Sequence, residues 1–199
     1  MGSAGDDGGV LKGREVLLCA TGGIACYKAA DLASKLVQAG AGVTAAMSDA
    51  AQRFVAPLTF QTLTGRKTYT TLWTPVEGFS SEHVSLTDRA ELLIVAPATA
   101  DIMAKIAAGI ADDLVSTLVL AAWKRCPILA APAMNTRMWE APPTAANVAR
   151  LREWGVHFVG PADGRLACGA TGPGRMAEAG EILHAAVELL ARRQQTAIV

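Results

Sequence analysis

Aromatic residues make up only 5% of these 199 residues and charged residues only 18%. Lys plus Arg number 18 and Asp plus Glu number 18, so the formal net charge is zero. A chain without a basic excess lacks the electrostatic footprint of nucleic-acid binding, and no nucleic-acid partner is expected. No apolar run approaches the roughly 18 residues that a membrane helix needs. The start, residues 1–9, is rich in Gly and Asp, with neither the basic nor the apolar stretch of a signal or transit peptide. We read residues 1–13 as a disordered N-terminal arm. The three His are scattered, and the four Cys (Cys19, Cys26, Cys126 and Cys168) show neither Cys-x-x-Cys nor zinc spacing. Neither a metal site nor a disulfide scaffold is therefore expected, and the cysteines read as free thiols of a cytoplasmic protein.

Hydrophobic residues, by contrast, reach 51%, largely as Ala, Val and Leu. Small side chains favour close helix packing, and sparse surface charge makes an oligomer a reasonable expectation. The apolar residues fall into short continuous runs at 14–21 (REVLLCAT), 43–47, 91–97 (ELLIVAP), 127–133 (PILAAPA) and 156–159, each read as a buried strand. Between them lie helical spacings at 24–38, 50–64, 99–108, 113–124 and 143–154, with a closing amphipathic helix at 177–193. Residues 66–90 and the Gly-rich 161–175 read as loops. Buried strands alternating with helices imply an α/β fold: one doubly wound, Rossmann-like or flavodoxin-like domain over 14–195, with a mostly parallel sheet.

Ligands in such folds bind beyond the C-terminal ends of the strands. The first strand runs through Thr21, Gly22, Gly23 and Ile24 into a helix, where glycines let backbone N–H groups approach an anion. This is not a Gly-x-Gly-x-x-Gly dinucleotide fingerprint, and no P-loop Lys-Ser/Thr follows. A plain strand–helix turn explains it about as well. Ser48 and Thr99 end the next two strands, and each also reads as an ordinary N-cap. Convergence of the three ends points to a mononucleotide or a phosphorylated ring cofactor. Asn135, after the fourth strand, offers an amide to a carboxylate or a flavin edge, although a turn residue is the commoner role. Cys168 lies in LACGATGPGRM, between Arg165 and Arg175, and nearby cations favour a thiolate. Cys19, Cys26 and Cys126 read as small packing residues. His83 titrates near neutrality by default and is a candidate base, His157 and His184 read as structural, and Asp112–Asp113 as a helix start.

The stretches TGGIACYKAADL, APLTFQTLTG, APATADIMAKIAAGIADDL, APAMNTRMW and RLACGATGPGRMAE, with His83 before a buried strand, carry a family likeness over roughly residues 14–180. The chain resembles the flavin-containing cysteine decarboxylases, and within them the phosphopantothenoylcysteine decarboxylases of coenzyme A biosynthesis. The resemblance implies FMN, contacted by Gly22, Gly23, Ile24, Ser48, Thr99 and Ala100, with Met134 beside the flavin. It implies Asn135 as ligand of the substrate carboxylate and His83 as base. It further implies a substrate clamp of Arg165, Leu166 and Ala167, with Cys168 as proton donor. The implied reaction oxidises the substrate thiol to a thioaldehyde, releases CO2 to leave an ene-thiolate, and reduces that to phosphopantetheine.

Asp101-Ile102 departs from the Asn-Thr frequent in the family, which puts a side-chain contact from position 101 in doubt. Two other readings remain: a decarboxylase of C-terminal peptidyl-cysteine, which stops at the ene-thiol, and a non-catalytic flavoprotein regulatory subunit. The family also implies a homotrimer with the flavin at a subunit boundary, or trimers stacked into a dodecamer. Many bacterial relatives carry a fused phosphopantothenate–cysteine ligase, and the length of this chain leads us to expect that ligase as a separate protein.

Overall fold

In the computed structural model, residues 11–73, 82–165, 169 and 171–197 are described. Five parallel strands form the central sheet: β1 (Glu15–Ala20), β2 (Gly42–Met47), β3 (Leu92–Ala98), β4 (Ile128–Pro132) and β5 (His157–Phe158). Their order is β2-β1-β3-β4-β5. β1, β2, β3 and β4 are buried almost throughout, as strands covered on both faces must be.

One face of the sheet packs on α1 (Cys26–Gln38), α2 (Pro57–Thr64) and the long final helix, Ala179–Ala197. Leu18, Ile94, Leu32 and Ile182 share that core. The other face packs on α3 (Glu82–Arg89), α4 (Ala100–Ala108), α5 (Leu114–Ala121) and, beyond the short α6 (Thr136–Trp139), α7 (Pro142–Glu153). The final helix is therefore α8. No described helix is long and apolar enough to cross a membrane.

The doubly wound architecture agrees with the sequence reading, with four local differences. Leu11 is fully buried in the first core, so residues 11–13 belong to the folded body rather than to the arm. The helix expected over 50–64 divides into a 3-10 turn, Ala51–Arg53, and α2, because Pro57 lacks an N–H and suits a first helical turn. α3 lies in the expected loop 66–90; among its described side chains only Leu86 and Thr87 are buried, too few to mark a helical stripe. The expected loop 161–175 contains an antiparallel pair, β6 (Ala162–Arg165) and β7 (Thr171–Arg175).

The strand order reverses direction between β1, whose chain successor β2 lies on one side, and β3, on the other. Crossovers leave the sheet in opposite senses at that point and open a crevice beyond the strand ends.

Candidate active site

That crevice is a cleft of about 1140 Å³. Gly22, Gly23, Ile24, Ser48, Thr99, Ala100 and Met134 all line it, and Asn135 lines it with them. The convergence of the three strand ends is thus present in the structure.

The β1 end is held by Thr21, whose buried hydroxyl donates to the Pro97 carbonyl at 2.5 Å and lies 3.4 Å from Thr99 Oγ1. This ties the end of β1 to the end of β3. Gly22 follows because nothing larger fits: a Cβ there would overlap Ala50 Cβ and lie 3.0 Å from the Ala50 carbonyl carbon. α1 then starts on Ala25, which provides no side-chain cap, so no capping side chain answers the first N–H groups of a 13-residue helix. Ser48 and Thr99 do cap. Ser48 Oγ accepts from Ala51 N at 3.2 Å, and Thr99 Oγ1 accepts from Ile102 N at 3.3 Å.

Asn135 is the N-cap of α6, its Oδ1 accepting from Arg137 N at 2.9 Å. The turn role and the site role therefore coexist, since the cap fixes the amide where it lines the cleft. Met134 N donates to the Gly174 carbonyl at 2.9 Å, which docks β7 against this loop. A Cβ on Gly174 (φ +140°) would overlap the Met134 carbonyl oxygen, so this approach requires glycine.

The charged groups around the cleft neutralise one another. Lys105 Nζ lies 2.8 Å from both Asp112 Oδ1 and Asp113 Oδ2, and its pKa is held above the usual lysine value by hydrogen bonds to Asp112 and Asp113. Burial pushes the Asp113 carboxyl up, but the Lys105 and Ser116 hydrogen bonds outweigh it and leave the pKa below the usual 3.8. Asp113 also caps α5 in a capping box with Ser116, as its place before an apolar helix led us to expect. Asp101 stands in the first turn of α4 with its side chain 78% exposed, where water screens it. An anion here would meet backbone N–H groups rather than an unpaired lysine.

Lys28, Gly174, Arg175, Met176 and Glu178 also line the cleft and were not anticipated. Lys28 was legible in principle, standing four residues from both Ile24 and Leu32 on the apolar stripe of α1.

His83 falls in the first turn of α3 and Arg165 ends β6, but both side chains lie outside the described ones. Leu166, Ala167 and Cys168 lie outside the described residues, in the segment that joins β6 to β7. Cys19, Cys26 and Cys126 are buried free thiols. Burial raises all three, Cys26 and Cys126 to about 11 and Cys19 further, so they remain protonated packing groups.

Comparison with known proteins adds to this geometry. A family model described as Flavoprotein matches residues 7–191. The coenzyme A biosynthesis bifunctional protein CoaBC of Bacillus subtilis is 46% identical over 177 residues, covering 89% of this chain and 43% of the relative. The chain thus spans less than half the length of the curated relatives it matches. Among solved structures, a cysteine-to-serine mutant of a PPC decarboxylase complexed with pantothenoylaminoethenethiol is 30% identical, with a TM-score of 0.79 over 88% of this chain and 97% of that one. The FMN binding protein AtHal3 is 31% identical, with a TM-score of 0.76 over 88% and 95%.

Proposed function

The chain belongs to the flavoprotein family, and from that premise we propose that it is an FMN-dependent carboxy-lyase converting phosphopantothenoylcysteine to phosphopantetheine in coenzyme A biosynthesis. The observation that carries this reading is a single cleft. It joins three strand ends suited to a phosphorylated ring cofactor with Asn135 and with the strand that follows Cys168. The relatives' names support both the cofactor and the substrate class.

The residues present fit FMN. The uncapped start of α1 after Gly22-Gly23 leaves backbone N–H groups for an anion, and Ser48, Thr99, Ala100 and Met134 line the space beside it. Bound there, FMN supplies a two-electron acceptor for the substrate thiol and returns the same pair after CO2 is lost.

This chain's own residues then have distinct tasks. Asn135 holds the substrate carboxylate through an uncharged amide. A cation in its place would stabilise the carboxylate ground state and oppose CO2 release. His83 takes up protons during oxidation of the thiol, whose ordinary pKa is near 8.5. Arg165, Leu166 and Ala167 clamp the substrate. Cys168 gives a proton to the ene-thiolate. The ethenethiol named with the cysteine-to-serine mutant of the PPC decarboxylase is the class of species that stalls when such a proton is missing, which supports this assignment.

Ile24 and Tyr27 are 61% and 60% exposed at the cleft rim, and Met138 is 49% exposed beside them. Apolar side chains clustered at a site mouth favour coverage by another subunit, as in a trimer or in trimers stacked into a dodecamer. A ligase joining phosphopantothenate to cysteine supplies the substrate.

The test is a paired assay on the purified, flavin-loaded protein. Phosphopantothenoylcysteine should give phosphopantetheine, and a peptide ending in cysteine should give no product. Turnover of the peptide alone would establish the peptide-tailoring reading, and turnover of neither by a flavin-loaded protein would establish the regulatory one.

A further inference from the structure

Lys28 occupies a place on α1 that a charged residue rarely holds. Leu32 and Leu36, the next residues on its stripe, are fully buried, and Lys28 is only 8% exposed. An ammonium in such surroundings is costly unless hydrogen bonds and an opposite charge answer it. Both do. Nζ donates to the Met176 carbonyl at 3.1 Å and to Glu178 Oε1 at 2.9 Å, and Glu178 Oε1 lies 3.2 Å from Arg175 Nη2. The Lys28 hydrogen bond holds the Glu178 carboxyl below its usual 4.5, so Glu178 is ionised at neutral pH.

Both partners, with Arg175 beside them, lie on the segment that ends β7 and leads into α8. β7 is held on its other side by the loop after β4, through Met134 N to the Gly174 carbonyl and through the close approach of Gly172 to Thr136. A Cβ on Gly172 would lie 2.9 Å from Thr136 Oγ1. The β6–β7 pair is thus pinned between α1 and the loop that carries Asn135. β6 and β7 together bury little: the β7 side chains are exposed or half-buried except at Gly174. Their placement rests on these contacts together with Met176 and Ala177, just past β7, which are buried in the first core.

We propose that Lys28 is a positioning residue for the reductive half of the reaction, acting by fixing the exit of β7 and so the β6–β7 pair beside the cleft. The inference rests on the function proposed above. In that reaction the oxidation removes two electrons and two protons from the substrate's CH2–SH group to give the thioaldehyde. The Cα–carboxylate bond then breaks, and its electron pair forms the C=C bond of the ene-thiolate as CO2 leaves. Return of the two electrons with three protons gives the saturated thiol, a net uptake of one proton. The oxidative half uses the strand ends and Asn135, which their own caps hold. The reductive half needs Cys168, which the sequence places between β6 and β7. With the anchor gone, the ene-thiol leaves before it is reduced.

The experiment compares flavin-loaded wild type with Lys28→Met, Lys28→Arg and Glu178→Gln. Each is given phosphopantothenoylcysteine without oxygen, and FMN content, the rate of flavin bleaching, and the ratio of ene-thiol to saturated product by mass spectrometry are measured. Lys28→Met should keep its FMN and bleach within about threefold of wild type, while the ene-thiol ratio rises about 10- to 100-fold, the scale of a small misplacement of a catalytic group. Glu178→Gln should move the ratio the same way by less, and Lys28→Arg should return it toward wild type. An unchanged ratio in Lys28→Met overturns the proposal. If Lys28→Met does not fold, Glu178→Gln decides by the same ratio. Loss of FMN and of both halves together in the folded variants overturns it too, by making Lys28 a residue of the fold alone. A wild type that bleaches with no decarboxylated product overturns the underlying function, a result visible before any variant is made.

Discussion

The wall of the cleft made by the ends of β1, β2 and β3 and the wall made by β7 and the loop after β4 are held by different forces. The first inherits its shape from the core. Its strands are buried, and Thr21 ties two of them together through the Pro97 carbonyl. Ser48 and Thr99 then fix the turns that follow. In the second, β7 stands outside the main sheet, while the loop after β4 continues a buried strand. This wall is attached by backbone hydrogen bonds at Ala133 and Met134, by glycines that approach Met134 and Thr136 closely, by the Lys28–Glu178 pair, and by the burial of Met176 and Ala177 just past β7. A wall that shares the core cannot move without disturbing the fold. A strand pair outside the sheet, buried only at its exit and otherwise held by polar contacts, can shift while the fold and the cofactor stay in place. The division suits a reaction whose first half needs a fixed cofactor and whose second half needs a proton brought to a transient product.

The largest expected effect comes from breaking the first wall. Gly22→Val puts side-chain atoms onto Ala50, backbone included. Overpacking of this kind costs about 1–3 kcal/mol, and because it falls on the turn proposed to hold the flavin we expect FMN affinity to drop about 100-fold in equilibrium dialysis. Retention of tight FMN would mean that this turn does not hold the cofactor. Breaking the second wall should be selective. Gly174→Ala places a methyl group on the Met134 carbonyl at a φ of +140°, a conformation that costs an L residue about 1–3 kcal/mol. FMN affinity should stay within about threefold, and the product measured by mass spectrometry should shift toward the ene-thiol. Equal loss of FMN in this variant would erase the distinction between the walls. The mildest change, Thr99→Ala, removes one N-cap worth about 1 kcal/mol. It should weaken FMN about fivefold and leave the product ratio unchanged.

The same division explains what could be read from the sequence. Apolar runs ending in Gly, Ser or Thr announce both a buried strand and the turn beyond it, so the order of elements and the first wall were visible in residues such as Gly22, Ser48 and Thr99. β7 was not. Its sequence, Thr-Gly-Pro-Gly-Arg, carries the residues of a loop, and its docking against distant Met134 and Thr136 is encoded by no local pattern. α3 was missed for a related reason, having too few buried positions to set a period. Lys28 was visible as a charge on an apolar stripe, but its partners Met176 and Glu178 lie 148 and 150 residues away. Only the fold brings them together.

The central claim is that one cleft both oxidises its substrate and completes the reduction with a proton from Cys168. The most direct test is mass spectrometry of the product that flavin-loaded Cys168→Ser forms from phosphopantothenoylcysteine. The account predicts that CO2 is still released and that the ene-thiol accumulates in place of phosphopantetheine. Saturated phosphopantetheine formed at the wild-type rate would contradict it.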